Sequence, residues 1–174
     1  MFARCRPSPF RGSDATSADL VIVGASLAGL RTAEAARKLG FAGSSRIIGQ
    51  GPHLPYIRPT VSKLVLTSNM SATDLAFPIR SLLDDVEWML STTIVGADLD
   101  SATVVTTQGR RIGYGTLVIA IGRRARRLLS THALDRRHVV HTIEDAERLR
   151  SSVTSRDRVA IVGGGFIASR QPPH

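Results

Sequence analysis

The amino-acid sequence predicts an α/β fold in which a Rossmann-like parallel sheet is joined to an antiparallel β-meander, with an incomplete second Rossmann unit at the C-terminus. Three observations predict this fold. A glycine loop near the start follows a short apolar run and leads into a helical pattern, a second such loop lies near the end, and residues 86–121 have the composition of strands. The 174 residues, 43% of them hydrophobic, suffice for the core of one ordinary domain.

The first elements are a strand, a glycine loop, a helix and a strand. Residues 20–23 form a short apolar run, which suits a strand buried on both faces. Three small residues follow in a G-x-S-x-x-G arrangement: Gly24, Ser26 and Gly29. A helical pattern then runs over residues 27–39 and ends at Gly40, and residues 45–49 predict a second strand. This order begins a parallel sheet.

The middle of the chain changes from loop to β-structure. Residues 52–66 contain three prolines and predict an ordered loop with a short helix near residues 60–66. Residues 67–84 are compatible with a loop or with a short helix. Two turns between antiparallel strands are predicted in the β-region, at residues 98–101 and 108–110. Residues 116–122 predict another buried strand.

The C-terminal part predicts one helix and the start of a second glycine loop. Residues 143–153 have a helical pattern, and Thr142 is the predicted N-cap. Residues 159–162 predict a last buried strand. The small residues of the second loop follow it: Gly163, Gly165 and Ala168.

Such glycine loops bind phosphates through backbone geometry. The first glycine permits the turn, the second lets a pyrophosphate approach, and the third lets helix and strand pack closely. One loop alone is also compatible with packing, but two loops that each follow a predicted strand favour nucleotide binding. Ser26 occupies the second place, which weakens the first site, and Gln50 and Gly51 stand where a ribose-binding acid is usual.

Composition limits the other classes of function. The net charge is +9, from 21 arginines and 2 lysines, and is compatible with nucleic acid, an anionic membrane surface or an acidic protein partner. The densest arginine patch, residues 123–127, is also compatible with a solvated loop. No aromatic platform accompanies the arginines, and this absence argues against nucleic-acid binding. The single cysteine, Cys5, excludes an intrachain disulfide and a cysteine zinc site. No apolar run is long enough to span a bilayer, and we expect a cytoplasmic protein without membrane contact.

Five stretches of the chain occur in the order typical of one known family. They are "VIVGASLAGLRTAEAARKLGF", "PHLPYIRPTVSK", "GYGTLVIAIGRRARRL", "TIEDAERLR" and "VAIVGGGFIA". The second, with its pattern PHLPYxRPxxSK, is the most specific. From about residue 19 to residue 168 the chain resembles the FAD-dependent ferredoxin reductase branch of the pyridine nucleotide oxidoreductases.

The resemblance implies a division into three parts and an activity. The first part, residues 1–18, is rich in Arg, Ser, Pro and Ala, and this composition predicts a disordered tail or an upstream extension of the true start. By resemblance, residues 19–122 would be the N-terminal half of an FAD-binding domain, and residues 123–174 a connector and the truncated start of an NAD(P)H-binding domain. The implied cofactors are FAD and NAD(P)H. Electrons would pass from NAD(P)H through FAD to an acidic iron–sulfur protein of the ferredoxin or rubredoxin type; the oligomeric state is left open.

The resemblance also assigns site residues by position, with no metal ligand among them. The implied FAD contacts are Gly24, Ser26, Gly29, Arg58, Pro59, Lys63, Ile94, Val95, Ala120 and Gly122. The implied NAD(P)H contacts are Gly163, Gly165 and Ala168. Lys63 is also assigned the catalytic role, because a cation near the flavin ring can stabilise negative charge on its reduced form. Arg58 and Lys63 are also compatible with solvated loop charges, and Ile94 and Val95 with strand core.

Histidines are given no catalytic role, because hydride transfer between two cofactors requires no general acid or base. They are interpreted as surface or capping residues: His53, His132, His138 and His141.

Four departures from the family pattern qualify this assignment. The acid expected near Gln50 is absent, Ile121 replaces a threonine, and Ile57 stands where an acid is common. After Ala168 the family's helix would continue, whereas this sequence reads "SRQPPH". We therefore expect a truncated member with weak or no activity alone. The alternative is a non-catalytic nucleotide-binding remnant or a protein-interaction fragment.

Overall fold

The structure, a computed structural model, describes residues 17–68, 70–125, 136–154 and 157–163. Contacts divide it into two compact units. Of the described residues, the sheet unit comprises those up to Pro55 together with Pro78–Gly122, and the helical unit comprises those in Tyr56–Phe77 and those from Arg123 onward. The predicted domain boundary after residue 122 stays a prediction. The segment Tyr56–Phe77, which lies within the predicted FAD-binding half, belongs to the helical unit.

One six-stranded mixed sheet forms the sheet unit. Its strands are β1 (Ser17–Val23), β2 (Ser45–Ile48), β3 (Glu87–Met89), β4 (Ile94–Asp98), β5 (Thr103–Thr106) and β6 (Arg111–Ile119). Their spatial order is β3-β2-β1-β6-β5-β4. The α/β prediction, with a parallel part and an antiparallel meander, is confirmed.

The parallel half of the sheet is built around β1. This strand pairs in parallel with β2 on one side and with β6 on the other, and β2 pairs in parallel with β3. Helix α1 (Leu27–Lys38) makes the crossover from β1 to β2, and Gly40 follows it with φ 85°. The predicted helix end is therefore confirmed, whereas β1 begins at Ser17, inside the stretch predicted as a tail.

The antiparallel half is the predicted meander of β4, β5 and β6. At its first turn the Asp98 carboxylate accepts hydrogen bonds from the backbone N–H groups of Asp100 and Ser101, both at 3.1 Å. The pairing of β4 with β5 shifts between Ile94 and Gly96. Such a bulge re-aims the side chain of the inserted residue.

The core of the sheet unit joins both halves of the sheet. One cluster of its buried side chains consists of Ala18, Val21, Val23, Ile48, Val104, Ile112 and Tyr114. On α1, Leu30 and Ala33 are buried as well. The buried carboxylate of Glu34 is held by the Arg31 guanidinium at 2.6 Å, and this hydrogen bond keeps the pKa of Glu34 below its ordinary value against the effect of burial.

The helical unit packs a series of short turns against one longer helix. A 3₁₀ turn (Arg58–Thr60), a π-helical turn (Val61–Val65) and α2 (Leu66–Ser68) follow one another, and α3 spans Ile143–Ser152. The two predicted helices are confirmed in place. Among the described residues of this unit, one cluster of buried side chains consists of Tyr56, Val61, Val65, Leu75, Ile143 and Ala146.

Two burial predictions are wrong. Residues 157–163 form no strand, and Val162 is 74% exposed, because no described strand pairs with this segment. At the end of β6, Ile119 is 65% exposed. A parallel sheet is buried only where helices cover it, and the described part of the sheet unit contains a single α-helix.

Candidate functional site

The candidate site lies where three parallel strands end side by side. Gly24 follows β1 with φ 127°, and its N–H donates to the carbonyl of Ile48 at the end of β2, at 2.7 Å. The N–H of Ala120, just after β6, donates to the carbonyl of Val23 at 2.7 Å. The first glycine loop and the residues after β2 and β6 therefore share the carboxyl edge of the sheet, where ligands bind in open α/β folds.

Glycines allow this edge to pack closely. A Cβ on Gly24 would collide with the carbonyl oxygen of Ala120, and a Cβ on Gly29 would collide with the carbonyl oxygen of Gly24. Gly49 has the same property, because a Cβ there would collide with the Cβ of Ala25. Sequence reasoning missed Gly49. Its position at the end of the predicted second strand was the available signal, but nothing in the sequence shows that Ala25 packs against it.

The N-terminus of α1 points its free backbone N–H groups into this edge. Ser26 is the N-cap, yet its side chain makes no capping hydrogen bond, and the first turn contains no acidic residue. The first N–H groups of a helix have no intrahelical acceptor, and they carry the positive end of the helix dipole. The arrangement fits a phosphate-sized anion.

The loop after β2 places a neutral amide at the edge. Gln50 is exposed, and the carbonyls of Gly49 and Gly51 accept hydrogen bonds from Thr92 (2.8 Å) and Ser91 (3.0 Å). The chain between β3 and β4 is therefore tied to the end of β2. Gln50 can hydrogen-bond a hydroxyl but brings no negative charge.

The two residues assigned to adenine contact differ in burial. Ile94 packs against the core cluster that contains Val23 and Ile48. Val95, at the bulge, is 63% exposed. The core interpretation therefore suits Ile94, and only Val95 presents most of its side chain to solvent.

Beyond β6 the chain turns away through Gly122. This glycine has φ 67°, a left-handed conformation that disfavours other residues, and a Cβ there would meet open space. Ile121 is 70% exposed, so the branch that replaces the family's threonine makes little packing contact.

The PHLPYxRPxxSK stretch lies in the helical unit from Tyr56 onward, whereas its first four residues, up to Pro55, belong to the sheet unit. Pro59 is exposed in the 3₁₀ turn, and Lys63 is half-buried in the π-helical turn. π-Helical turns are rare and are frequent at functional sites. Arg58 is exposed, and its Nη1 lies 2.9 Å from Nε2 of His141.

The first turn of α3 is tightly capped and lies beside Arg58. The Thr142 hydroxyl accepts from the Asp145 N–H at 3.2 Å, and the Asp145 carboxylate accepts from the Thr142 N–H at 3.0 Å, which is a capping box. Burial acts to raise the pKa of Asp145. The N–H groups of Thr142 and His141 and the Arg148 guanidinium outweigh it and hold that pKa below its ordinary value. The predicted N-cap at Thr142 is confirmed.

His141 is the residue that sequence reasoning undervalued. It was interpreted as a surface or capping histidine, but the structure brings it to Arg58, 83 positions away. Its place directly before the N-cap was the only available signal.

The second glycine loop is described only at its first residue. Gly163 has φ 127°, the same value as Gly24, but it follows an exposed segment. Gly165 and Ala168 lie outside the described residues, as do Arg126 and Arg127 of the arginine patch.

Comparison with known proteins identifies the family. A family model described as pyridine nucleotide-disulphide oxidoreductase matches residues 18–170. The chain belongs to this family. The predicted resemblance is thereby confirmed.

The relatives of this pyridine nucleotide-disulphide oxidoreductase chain are longer than it is. The ferredoxin–NAD(+) reductase component of the p-cumate 2,3-dioxygenase system of Pseudomonas putida is 38% identical over 154 residues, 85% of this chain and 37% of that protein. A ferredoxin–NAD(P)(+) reductase of Sphingomonas sp is 38% identical over 155 residues, 87% of this chain and 37% of that protein. The NADH:rubredoxin oxidoreductase of Clostridium acetobutylicum superposes with a TM-score of 0.69 at 26% identity, covering 78% of this chain and 35% of that one. The chain spans little more than a third of these relatives' length.

Two further observations apply to the described residues of this family member. No group of three or more His, Cys, Asp or Glu side chains among them is arranged to hold a metal ion. None of the helices found there has both the length and the apolar character needed to cross a membrane.

Proposed function

We propose that this chain is the N-terminal part of an FAD-dependent NAD(P)H oxidoreductase that passes electrons to an acidic iron–sulfur protein of the ferredoxin or rubredoxin type. Family membership and the activities for which the relatives are named support the reaction class. The observation that carries the proposal is the uncapped, acid-free N-terminus of α1 at the carboxyl edge of the parallel sheet.

The first glycine loop would hold the FAD pyrophosphate. Gly24 and Gly29 let the loop approach the end of β6, and the first N–H groups of α1 would donate to the phosphate oxygens. The Ser26 hydroxyl, unused as a cap, can donate there as well. Val95, the half-buried Ala120 and the exposed Gly122 would complete the contacts, with Ile94 supporting them from the core.

The basic residues of the helical unit would stabilise negative charge on the bound cofactor. When bound, FAD supplies the hydride acceptor and the one-electron donor of the reaction. Lys63, in its π-helical turn, would stabilise negative charge with its ammonium group, and Pro59 would shape the turn that carries Arg58. Gly163, Gly165 and Ala168 would meet the NAD(P)H pyrophosphate in the longer protein.

The surface charge supports the proposed class of acceptor. A net charge of +9 favours association with an acidic partner, because complementary charge increases the rate of encounter. We also propose that the protein works in the cytoplasm, where NAD(P)H is available.

The first test is flavin retention by the purified 174-residue chain after incubation with FAD and desalting. We expect a structured visible flavin band from the unchanged sequence. The matched variant is Ser26→Asp, because aspartate is a good N-cap that preserves or raises helix stability but repels a phosphate. We expect it to melt no lower than the parent and to bind FAD at least about tenfold more weakly.

The outcomes separate the proposal from its alternative. Equal FAD retention by the parent and by Ser26→Asp would overturn the phosphate site at α1. A folded parent that retains no flavin would support the remnant or interaction fragment instead. Gln50, an exposed amide where a ribose-binding acid is usual, is the observation that favours this second candidate. Reduction of the retained flavin by NADH or NADPH then tests the electron-transfer step in a full-length protein that contains this segment.

A further inference from the structure

We propose that His141 is a positioning residue, which holds the Arg58 guanidinium ready for an anion without neutralising its charge. The inference rests on the proposed function for the identity of the anion, which would be a bound FAD. The orientation of Arg58 is inferred independently, from contacts within the helical unit.

The contact between the two side chains has a defined chemistry. Nη1 of Arg58 and Nε2 of His141 are 2.9 Å apart. A guanidinium only donates hydrogen bonds, so Nε2 must accept. His141 is therefore neutral in this contact and carries its proton on Nδ1.

Both neighbours of Arg58 are anchored to the start of α3. The Arg58 guanidinium carbon lies 5.8 Å from the centroid of the Tyr56 ring, within cation–π distance, and the Tyr56 hydroxyl is hydrogen-bonded to the backbone of Ile143. The N–H of His141 donates to the Asp145 carboxylate at 3.2 Å. The capped first turn of α3 thus determines where Arg58 is held.

The neutrality of this support is its distinguishing feature. Among the described residues, no carboxylate lies within ion-pair distance of Arg58, whereas Asp145 nearby is paired with Arg148 at 2.6 Å. An arginine held by a carboxylate has its charge compensated. An imidazole and an aromatic face restrict the guanidinium and leave its full charge and remaining N–H groups for a ligand.

The experiment compares three substitutions of His141 in the 174-residue chain, with FAD affinity measured by flavin fluorescence. His141→Gln keeps a neutral acceptor, and we expect FAD affinity within about twofold of the parent. His141→Phe keeps the ring but removes the acceptor, and we expect a loss of about three- to tenfold. His141→Glu keeps an acceptor but neutralises Arg58, and we expect a loss at least as large as for Phe. His138→Phe, at a histidine that contacts Ser152 at 3.1 Å instead, is the control.

The order of these variants decides the proposal. A merely structural role predicts that Glu, which forms the stronger contact with arginine, performs as well as Gln. That result would overturn the inference. In the background of Arg58→Ala, the three variants should become equal, and a persistent difference among them would also contradict it.

A second readout does not depend on flavin. Nitrogen NMR of the histidine rings at pH 8, where ordinary histidines are neutral, should show the Nδ1–H tautomer for His141 in the parent. In Arg58→Ala, the His141 ring should no longer be fixed in that one tautomer. An Nε2–H tautomer would overturn the positioning role. If the parent binds no FAD while the Nδ1–H tautomer is present, the proposed function fails and the orientation of Arg58 by His141 stands.

Discussion

The two glycine loops of this chain begin alike and are built differently. Gly24 and Gly163 share a φ of 127°, and each follows an apolar segment. Before Gly24, that segment is β1, paired with a strand on each side and buried. Before Gly163, residues 157–163 form no strand, and the apolar side chains are exposed.

The difference shows which properties of such a loop are local. The left-handed glycine conformation appears in both places, because it depends on the residue itself and its neighbours along the chain. Burial and strand formation appear in one place only, because they require partners that are distant in sequence. A motif match therefore indicates a turn, and the partners determine whether the turn becomes a site.

The largest expected difference in stability is between alanine substitutions of the two equivalent glycines, Gly24 and Gly163. Gly24→Ala should destabilise the sheet unit by about 4 kcal/mol or more, because the strained φ is combined with a collision against the Ala120 carbonyl. Gly163→Ala has the same φ but meets open space, so only the backbone strain remains and we expect a loss of about 1–2 kcal/mol. Urea dependence of amide exchange measures each loss in its own unit, at β1 for Gly24→Ala and at α3 for Gly163→Ala. Equal losses would break the contrast between the loops.

A smaller contrast is expected at the isoleucines two residues before each glycine. Ile22 is fully buried in β1, and Ile22→Ala should cost about 3 kcal/mol through lost burial and the cavity left behind. Ile161 is 47% exposed, so Ile161→Ala should change stability by about 0.5 kcal/mol or less. Thermal melts of the two variants check this. A large effect at Ile161 would mean that the segment before Gly163 is packed after all.

The smallest expected effect concerns the acid sensitivity of the helical unit. The pKa of Asp145 is lowered in the folded state, so its ionised form stabilises that state above the ordinary aspartate pKa of about 4. This contribution is lost as the pH falls through the lowered value. Asp145→Asn removes the ionised cap at every pH, and we expect it to reduce the amide protection of α3 by about 1 kcal/mol near neutral pH.

The control for this prediction lies in the other unit. Amide protection of β1 should be the same in Asp145→Asn and in the parent across the titration, because Asp145 makes its contacts in the helical unit. A loss of α3 protection in acid that persists unchanged in Asp145→Asn would show that another group is responsible.

Much of the fold was predictable because its signals are local. The end of α1 at Gly40, the cap at Thr142 and the turn at Asp98 each depend on residues within a few positions of one another. The strand predicted over residues 159–162 was wrong for the complementary reason. Its apolar side chains suit a buried strand, but no described strand pairs with it.

The candidate site was predictable only in part. The positions of Gly24, Ser26 and Gly29 follow from spacing, and their structural roles agree with a phosphate loop. The close approach of Gly49 to Ala25 and the contact of His141 with Arg58 join residues 24 and 83 positions apart. Composition and periodicity do not encode such distances.

The sequence by itself determined the order of the elements, the left-handed turns at its glycines and the acid-free start of α1, because propensity, capping and φ preferences act within a few residues. Only the tertiary structure decided that the ends of β1, β2 and β6 meet at Gly24 and that Arg58 contacts His141. It also left the segment before Gly163 exposed. These features depend on strand pairing and packing between distant parts of the chain, which follow from the free energy of the folded molecule and not from any single stretch of it.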